Sequence, residues 1–180
     1  LLIVSAVADP PPRTGFVERA LIAAFVGGLT PLVCLTKSDL ADPSAFAAEF
    51  RDLDVEVLTT GIDDPLDALS GYITGNVSAL VGHSGVGKST LFNRLIPDAE
   101  RATGEVSGVG KGRHTSTQSV ALQLPQGGWI IDTPGIRSLG LARVDPDTVV
   151  EGFEDLREVI EDCPRGCTHV GPPADPECGL

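Results

Sequence analysis

Short apolar runs, each about the length of a buried strand, alternate along this chain with amphipathic stretches and turn residues. Leu2 to Val7 opens as a strand and runs into the loop Asp9-Pro10-Pro11-Pro12. From Phe16 to Val26 the spacing becomes helical, with Phe16, Ala20, Leu21 and Ala23/Ala24 on one side and Gly27-Gly28 ending it. Pro31 to Leu35 is a second buried strand, in which Cys34 reads as a packed thiol. A helix is expected after Asp42, with Pro43 at its first position. Val55 to Leu58 predicts the next strand, ending at Thr59-Thr60-Gly61, and a short helix over Leu66 to Leu69 leads towards the apolar run of Val77, Ala79, Leu80 and Val81. Thr90 to Ile96 sets Leu91, Phe92 and Leu95 at helical spacing before Pro97 stops it. Ser119 to Leu124 and Trp129 to Ile131 read as paired strands around Pro125-Gln126-Gly127-Gly128. Short strands alternating with helices imply a mostly parallel α/β sheet that binds ligands at the carboxyl ends of its strands.

One inter-element stretch carries a chemical pattern. Gly82-His83-Ser84-Gly85-Val86-Gly87-Lys88-Ser89 fits G-x-x-x-x-G-K-S/T between a predicted strand and a predicted helix, the context a phosphate loop needs. Backbone N–H groups from Ser84 to Thr90 can turn around phosphate oxygens because the glycines leave room, and the helix N-terminus adds partial positive charge. Lys88 can reach the β- and γ-phosphates, and the Ser89 hydroxyl can ligate magnesium. The plainer reading, a glycine-rich turn with no ligand, does not need this strand and helix on either side.

Thr36-Lys37-Ser38-Asp39 closes the second strand. Alone it is a weak signal, since loops containing Lys and Asp are usually just solvated. At a strand's carboxyl end, in a chain with a phosphate loop, Asp39 can accept from both N1–H and the 2-amino group of guanine, which adenine cannot offer. Lys37 would lay its stem over the base, and Thr60 would present a backbone N–H to the guanine O6. Asp98 to Ser116, with Gly104, Gly108, Gly110, Gly112, Lys111, Arg113 and His114, is too polar and glycine-rich for a packed element. It is either a plain linker or a switch loop whose Thr115 completes a magnesium shell. Asp132-Thr133-Pro134-Gly135 ends the last strand, placing Asp132 to hold magnesium through water and the Gly135 N–H to read a γ-phosphate.

Composition narrows the setting. The chain has 180 residues, 42% of them hydrophobic, enough for one ordinary domain with a small appendage. A net charge of −12 argues against broad non-specific nucleic-acid binding. No apolar run approaches the roughly 18 residues of a membrane span. With no methionine at all, the chain reads as a piece of a longer protein. Three of its four cysteines, Cys163, Cys167 and Cys178, cluster with His169, which suggests a reducing compartment and a closed four-ligand zinc site rather than a disulfide framework.

The motifs stand in an unusual order. The guanine tetrapeptide precedes the phosphate loop, which precedes the switch threonine and D-T-P-G, a circular permutation of the usual GTPase arrangement. With Gly112-Arg113-His114-Thr115-Ser116 and the terminal Cys/His cluster, the chain strongly resembles the ribosome small-subunit-dependent GTPase A family, RsgA, over essentially its whole length. The resemblance implies a three-layer α/β P-loop GTPase domain, circularly permuted, over residues 1–140, and a small, incomplete zinc-binding appendage over 141–180. It implies a GTP hydrolase that uses magnesium and serves as a timing switch in late maturation of the small ribosomal subunit. GTP or GDP, Mg²⁺ and Zn²⁺ are then the expected ligands. The expected setting is the cytoplasm, for a monomer that meets the small subunit and its rRNA mainly through parts outside this chain. Against the family pattern the N-terminal OB-fold and the last C-terminal helices are missing. Ile136 stands where Ras-like enzymes carry a water-orienting glutamine, and both chemistry and family point to His114 as its substitute. Two other readings are a nucleotide-gated binding module with incidental hydrolysis and a permuted GTPase of large-subunit assembly. Members of the latter group usually lack the Cys/His cluster and carry an upstream D-A-R-x-P stretch that is not seen here.

Overall fold

The computed structural model describes residues 1–97, 119–134, 146–151 and 153–179. Among the described residues six strands form one sheet: β1 (Leu2–Ala6), β2 (Leu32–Thr36), β3 (Glu56–Thr60), β4 (Val77–Val81), β5 (Val120–Gln123) and β6 (Trp129–Asp132). Their spatial order is β3-β2-β1-β4-β6-β5, parallel except for β5, which runs antiparallel to β6. Among the described residues six helices accompany them: α1 (Thr14–Val26), α2 (Ser44–Ala48), α3 (Asp67–Ile73), α4 (Lys88–Leu95), α5 (Pro146–Glu151) and α6 (Glu154–Ile160).

The central strands are apolar along their whole length because both faces are covered. Leu2, Val4, Ala6, Leu32 and Cys34 face a core closed by Leu69 and Ile73 of α3 and Leu91, Phe92 and Leu95 of α4. Ile3, Val33 and Leu35 point the other way, into a core closed by Phe16, Val17, Ala20 and Leu21 of α1 with Phe46 and Phe50. Every residue of β1 and β2 is buried, as expected for parallel strands between helix layers. The fold is the three-layer α/β architecture that the alternating pattern implies. Cys34, 1% exposed, is a packed thiol as expected, and burial pushes its pKa up to about 12.

Local chemistry shifts several boundaries. α1 stops where Gly28 N–H bonds to Phe25 O at 3.0 Å and Leu29 N–H to Ala24 O at 2.8 Å, a pair of bonds that closes a helix C-terminus. Pro43 caps α2 instead of starting it, because the Asp42 carboxylate takes both the Ser44 N–H (3.0 Å) and the Ser44 hydroxyl (2.6 Å). α3 runs on through Ser70 and Gly71, since Ile73 reaches the same core as Leu69. In β4 the burial is opposite to the apolar reading at its start: Val77 is 70% exposed and polar Ser78 is buried. Val77 opens the strand beside Trp129, another exposed residue, away from either helix layer.

Sheet order fixes where a ligand can sit. Ala6, Thr36 and Thr60 stand in register, and Leu80 in register with Asp132, so the strands release their following loops along one edge. Between β1 and β4 the winding reverses, which opens a crevice at that edge.

Candidate functional site

The loop between β4 and α4 lies at this crevice. Gly87 caps α4 in a left-handed backbone, φ 93°, which makes Lys88 the first helical residue and turns its side chain back over the loop. Lys88 Nζ donates to Gly82 O at 2.8 Å and His83 O at 2.7 Å. Gly82 has no room for any side chain, since a Cβ there would lie 2.3 Å from Val4 O. Thr36, closing β2, donates its hydroxyl to Val86 O at 2.6 Å and so ties the Thr36–Asp39 tetrapeptide to the phosphate loop. Ser84, Gly85, Ser89 and Thr90 are exposed around this frame, whereas Val86 is buried within it. On the loop's far side the His83 ring packs on Phe16 of α1, centroids 4.5 Å apart.

Beside the loop is a cleft of about 260 Å³. Thr36, Lys37, Asp39 and Thr60 line it together with Gly87 and Thr90, so the structure joins the two motifs that the sequence holds about fifty residues apart. Lys37 stands in a left-handed backbone, φ 62°, and its Nζ bonds to Asp9 O. Asp39 Oδ1 accepts the Ile62 N–H at 3.0 Å. The Gly61 N–H is held by the Asp64 carboxylate at 2.6 Å. Leu40, Gly61, Ile62 and Arg94 also line the cleft, and the sequence reading missed them. Arg94 had a signal, because it follows Thr90 at i+4 and therefore shares its helical face.

The opposite wall of the phosphate loop is acidic. Asp132 ends β6, and burial raises its pKa while the Lys88 charge opposes the rise. Lys88 is the complement: burial lowers its pKa and Asp132 opposes that. Asp132 Oδ1 is buried with no hydrogen-bond partner among the described residues. A buried carboxylate oxygen left bare is costly, so this residue set fits a magnesium ion reached directly or through water. Thr133, also unforeseen, donates its hydroxyl to Leu80 O at 2.5 Å and pins the end of β6 to β4. Three residues expected at this site, His114, Thr115 and Gly135, lie outside the described residues.

A second constellation lies after α6. The ligand atoms of Cys163, Cys167, His169 and Cys178 all lie within 4.8 Å of one another, each residue half-buried. None of the cysteines is in a disulfide. Turn bonds shape the group: Cys163 N–H to Ile160 O at 3.0 Å, Cys167 N–H to Pro164 O at 3.1 Å, and Cys178 N–H to Asp175 O at 3.1 Å. The Gly179 N–H donates to Cys163 Sγ at 3.3 Å, the kind of supporting bond that stabilises a metal thiolate. Three sulfurs and one imidazole, converging with no fifth ligand side chain among the described residues, fit a closed, structural zinc site. The segment leading here packs on the main body, with Phe153 edge-on to Phe25 of α1 at 5.2 Å.

Comparison with known proteins is decisive about ancestry. The profile of the RsgA GTPase family matches residues 1–142. The chain belongs to the RsgA GTPase family. It is 39% identical over 181 residues to the small ribosomal subunit biogenesis GTPase RsgA of Pseudomonas aeruginosa, covering 95% of this chain and 52% of that protein. The RsgA of Chromohalobacter salexigens is 38% identical over 189 residues, covering 100% of this chain and 54% of the relative. This chain thus spans about half the length of the RsgA relatives it matches. Among solved structures, YjeQ from Thermotoga maritima superimposes with a TM-score of 0.71 at 26% identity, covering 99% of this chain and 61% of that one. YloQ, described as a circularly permuted GTPase, gives a TM-score of 0.69 at 26% identity, covering 99% and 58%. The permuted motif order read from the sequence is therefore that of an RsgA-type fold.

Proposed function

We propose that this chain binds magnesium–GTP and hydrolyses it to GDP and phosphate, as the nucleotide-dependent switch of a factor that matures the small ribosomal subunit. The observation that carries this reading is the single cleft shared by Asp39 and the end of the phosphate loop. A nucleotide with its base at Asp39 would bring its phosphates to the loop through this same cleft. Thr36, Lys37, Asp39 and Thr60 take the base side. Ser84 to Thr90 cradle the phosphates, with Lys88 opposite the β- and γ-groups and Gly135 sensing the last of them. Ser89, Thr115 and Asp132 would hold magnesium, which supplies charge neutralisation at the phosphates. Family membership and the names of the relatives support the ribosomal role, and no helix among the described residues is long and apolar enough to cross a membrane. We place the protein in the cytoplasm as a monomer, with a hydrolase body over 1–140 and a metal-bearing appendage over 141–180. Contacts with the small subunit and its rRNA are assigned mainly to parts outside this chain.

Hydrolysis by this chain alone is expected to be slow. Ile136 can neither donate nor accept a hydrogen bond where Ras-like enzymes orient the attacking water. We assign that task to His114, whose imidazole, when neutral, can accept or orient a water proton. Docking on the small subunit is expected to accelerate turnover, approaching the ~10³–10⁵-fold that partners give other GTPases. His114→Ala should remove most of that acceleration and leave GDP affinity nearly unchanged. The assay, run on the longer protein that carries the ribosome-contacting parts, is GTP turnover with no addition, with isolated small subunits and with isolated large subunits. Acceleration only by large subunits would transfer the role to the other assembly line, and parental stimulated turnover in the variant would make His114 a bystander.

We assign zinc to Cys163, Cys167, His169 and Cys178. Metal analysis of the purified chain is expected to give about one zinc per chain, dropping well below that in Cys163→Ser, with a lower melting temperature because structural zinc contributes folding energy. Equal zinc content in both proteins would remove Cys163 from the ligand set.

A further inference from the structure

Arg94 does something that no motif records. It projects from the last turn of α4, the helix that begins at the phosphate loop, and reaches across the cleft to the turn after β3. Its Nη1 donates to Gly61 O at 3.0 Å, and its Nη2 bonds to Asp64 O. A guanidinium can serve two carbonyls at once because its N–H groups form a rigid planar fork. The Gly61–Asp64 turn is therefore bound to the phosphate-loop helix at both of its ends.

The same turn holds Asp39. The Ile62 N–H donates to Asp39 Oδ1, and the Gly61 N–H and the Ser38 hydroxyl (3.4 Å) both donate to the Asp64 carboxylate. Gly61 sits so close to both acids that a Cβ would stand 3.1 Å from Asp39 Oδ1 and 3.2 Å from Asp64 Oδ2. Both carboxylates and the Arg94 guanidinium are thus bonded to the backbone of one short turn. Movement of the turn would carry the Ile62 N–H, and with it the rotamer of Asp39, away from the cleft.

We propose that Arg94 is a positioning residue for base selection: it locks the Gly61–Asp64 turn to α4 and so fixes the Asp39 carboxylate in the orientation that pairs with both N–H groups of guanine. The proposal rests on the guanine-nucleotide reading of the cleft and deepens it. Arg94 does not contact the base through Asp39's route, so its effect is on discrimination between bases more than on phosphate binding.

The test is calorimetric titration of the 180-residue chain and its Arg94→Ala and Arg94→Gln variants with the magnesium complexes of GDP, IDP, ADP and pyrophosphate. IDP lacks the 2-amino group, so the GDP:IDP affinity ratio reads the second bond to Asp39. In the parent chain this ratio and the GDP:ADP ratio are expected to be large. Arg94→Ala should lower GDP affinity about tenfold, the size of one lost charged hydrogen bond, and shrink the GDP:IDP ratio by several-fold. Pyrophosphate affinity should stay within about twofold. Arg94→Gln keeps most of the stem but cannot span both carbonyls, and it should show the same loss, so it decides the question if the alanine variant does not fold. An unchanged GDP:IDP ratio, or equal losses for all four ligands, overturns the positioning role. A parent chain with no preference for GDP over ADP would instead overturn the underlying guanine reading.

Discussion

Lys88→Ala is expected to weaken magnesium–GDP binding by about two to four orders of magnitude while the chain stays folded. Two charged contacts to phosphate oxygens are lost, each worth about 1.5–3 kcal/mol, and about 1.4 kcal/mol corresponds to a factor of ten. The fold survives because both bonds of Lys88 close its own loop, to Gly82 O and His83 O, and fasten no separate element. Burial at 7% exposure disfavours the Lys88 cation, a cost that bound phosphate relieves. Ser89→Ala should act in the same direction through the metal, with a loss that grows as magnesium is raised from zero. Calorimetry at saturating magnesium, with a thermal melt of each variant as control, reads both effects. A folded Lys88→Ala chain with parental GDP affinity would place the phosphates elsewhere.

The second large effect is a change of preferred base. Asp39→Asn turns a double acceptor into a group with one acceptor and one donor, which matches the 2-oxo oxygen of xanthine and mismatches the 2-amino group of guanine. GDP affinity should fall about 100-fold or more and that for xanthosine diphosphate should rise, since a site built to pair a substrate N–H rejects the analogue lacking it. Asp39 also accepts the Ile62 N–H at 3.0 Å, a bond that the asparagine oxygen can still make. The turn after β3 therefore keeps its place in the variant, and the switch in preference reports on the base contact alone. Titration with the two diphosphates measures it directly. Retained guanine preference in the variant would remove Asp39 from the base site.

Much of this architecture is legible in the sequence for simple reasons. Leu32 to Leu35 is apolar without alternation because helices cover both of its faces. The phosphate loop is legible because its steric demands are extreme: only glycine can occupy position 82, where a Cβ would lie 2.3 Å from a neighbouring carbonyl. The illegible features depend on contacts between distant segments. Ser78 is buried and Val77 exposed because of where β4 starts relative to β6, which the local pattern does not contain. Asp42 moved the start of α2 through a side-chain bond that competes with the helix. Thr36 belongs by sequence to the guanine tetrapeptide, yet its hydroxyl bonds to Val86 O of the phosphate loop, fifty residues later. Arg94 carried only its i+4 spacing from Thr90, too common a relation to single it out. The Cys/His cluster was legible as a donor set, whereas the turn bonds that converge it were not.

The central claim is that one guanine nucleotide occupies the cleft between Asp39 and the phosphate loop. Its most direct test is titration of the unmodified chain with magnesium–GDP and magnesium–ADP under identical conditions. Two charged hydrogen bonds to Asp39 separate the ligands, so the account predicts one GDP per chain and a preference over ADP of about 100-fold or more. Equal affinities for the two nucleotides, or no binding of either, would contradict it.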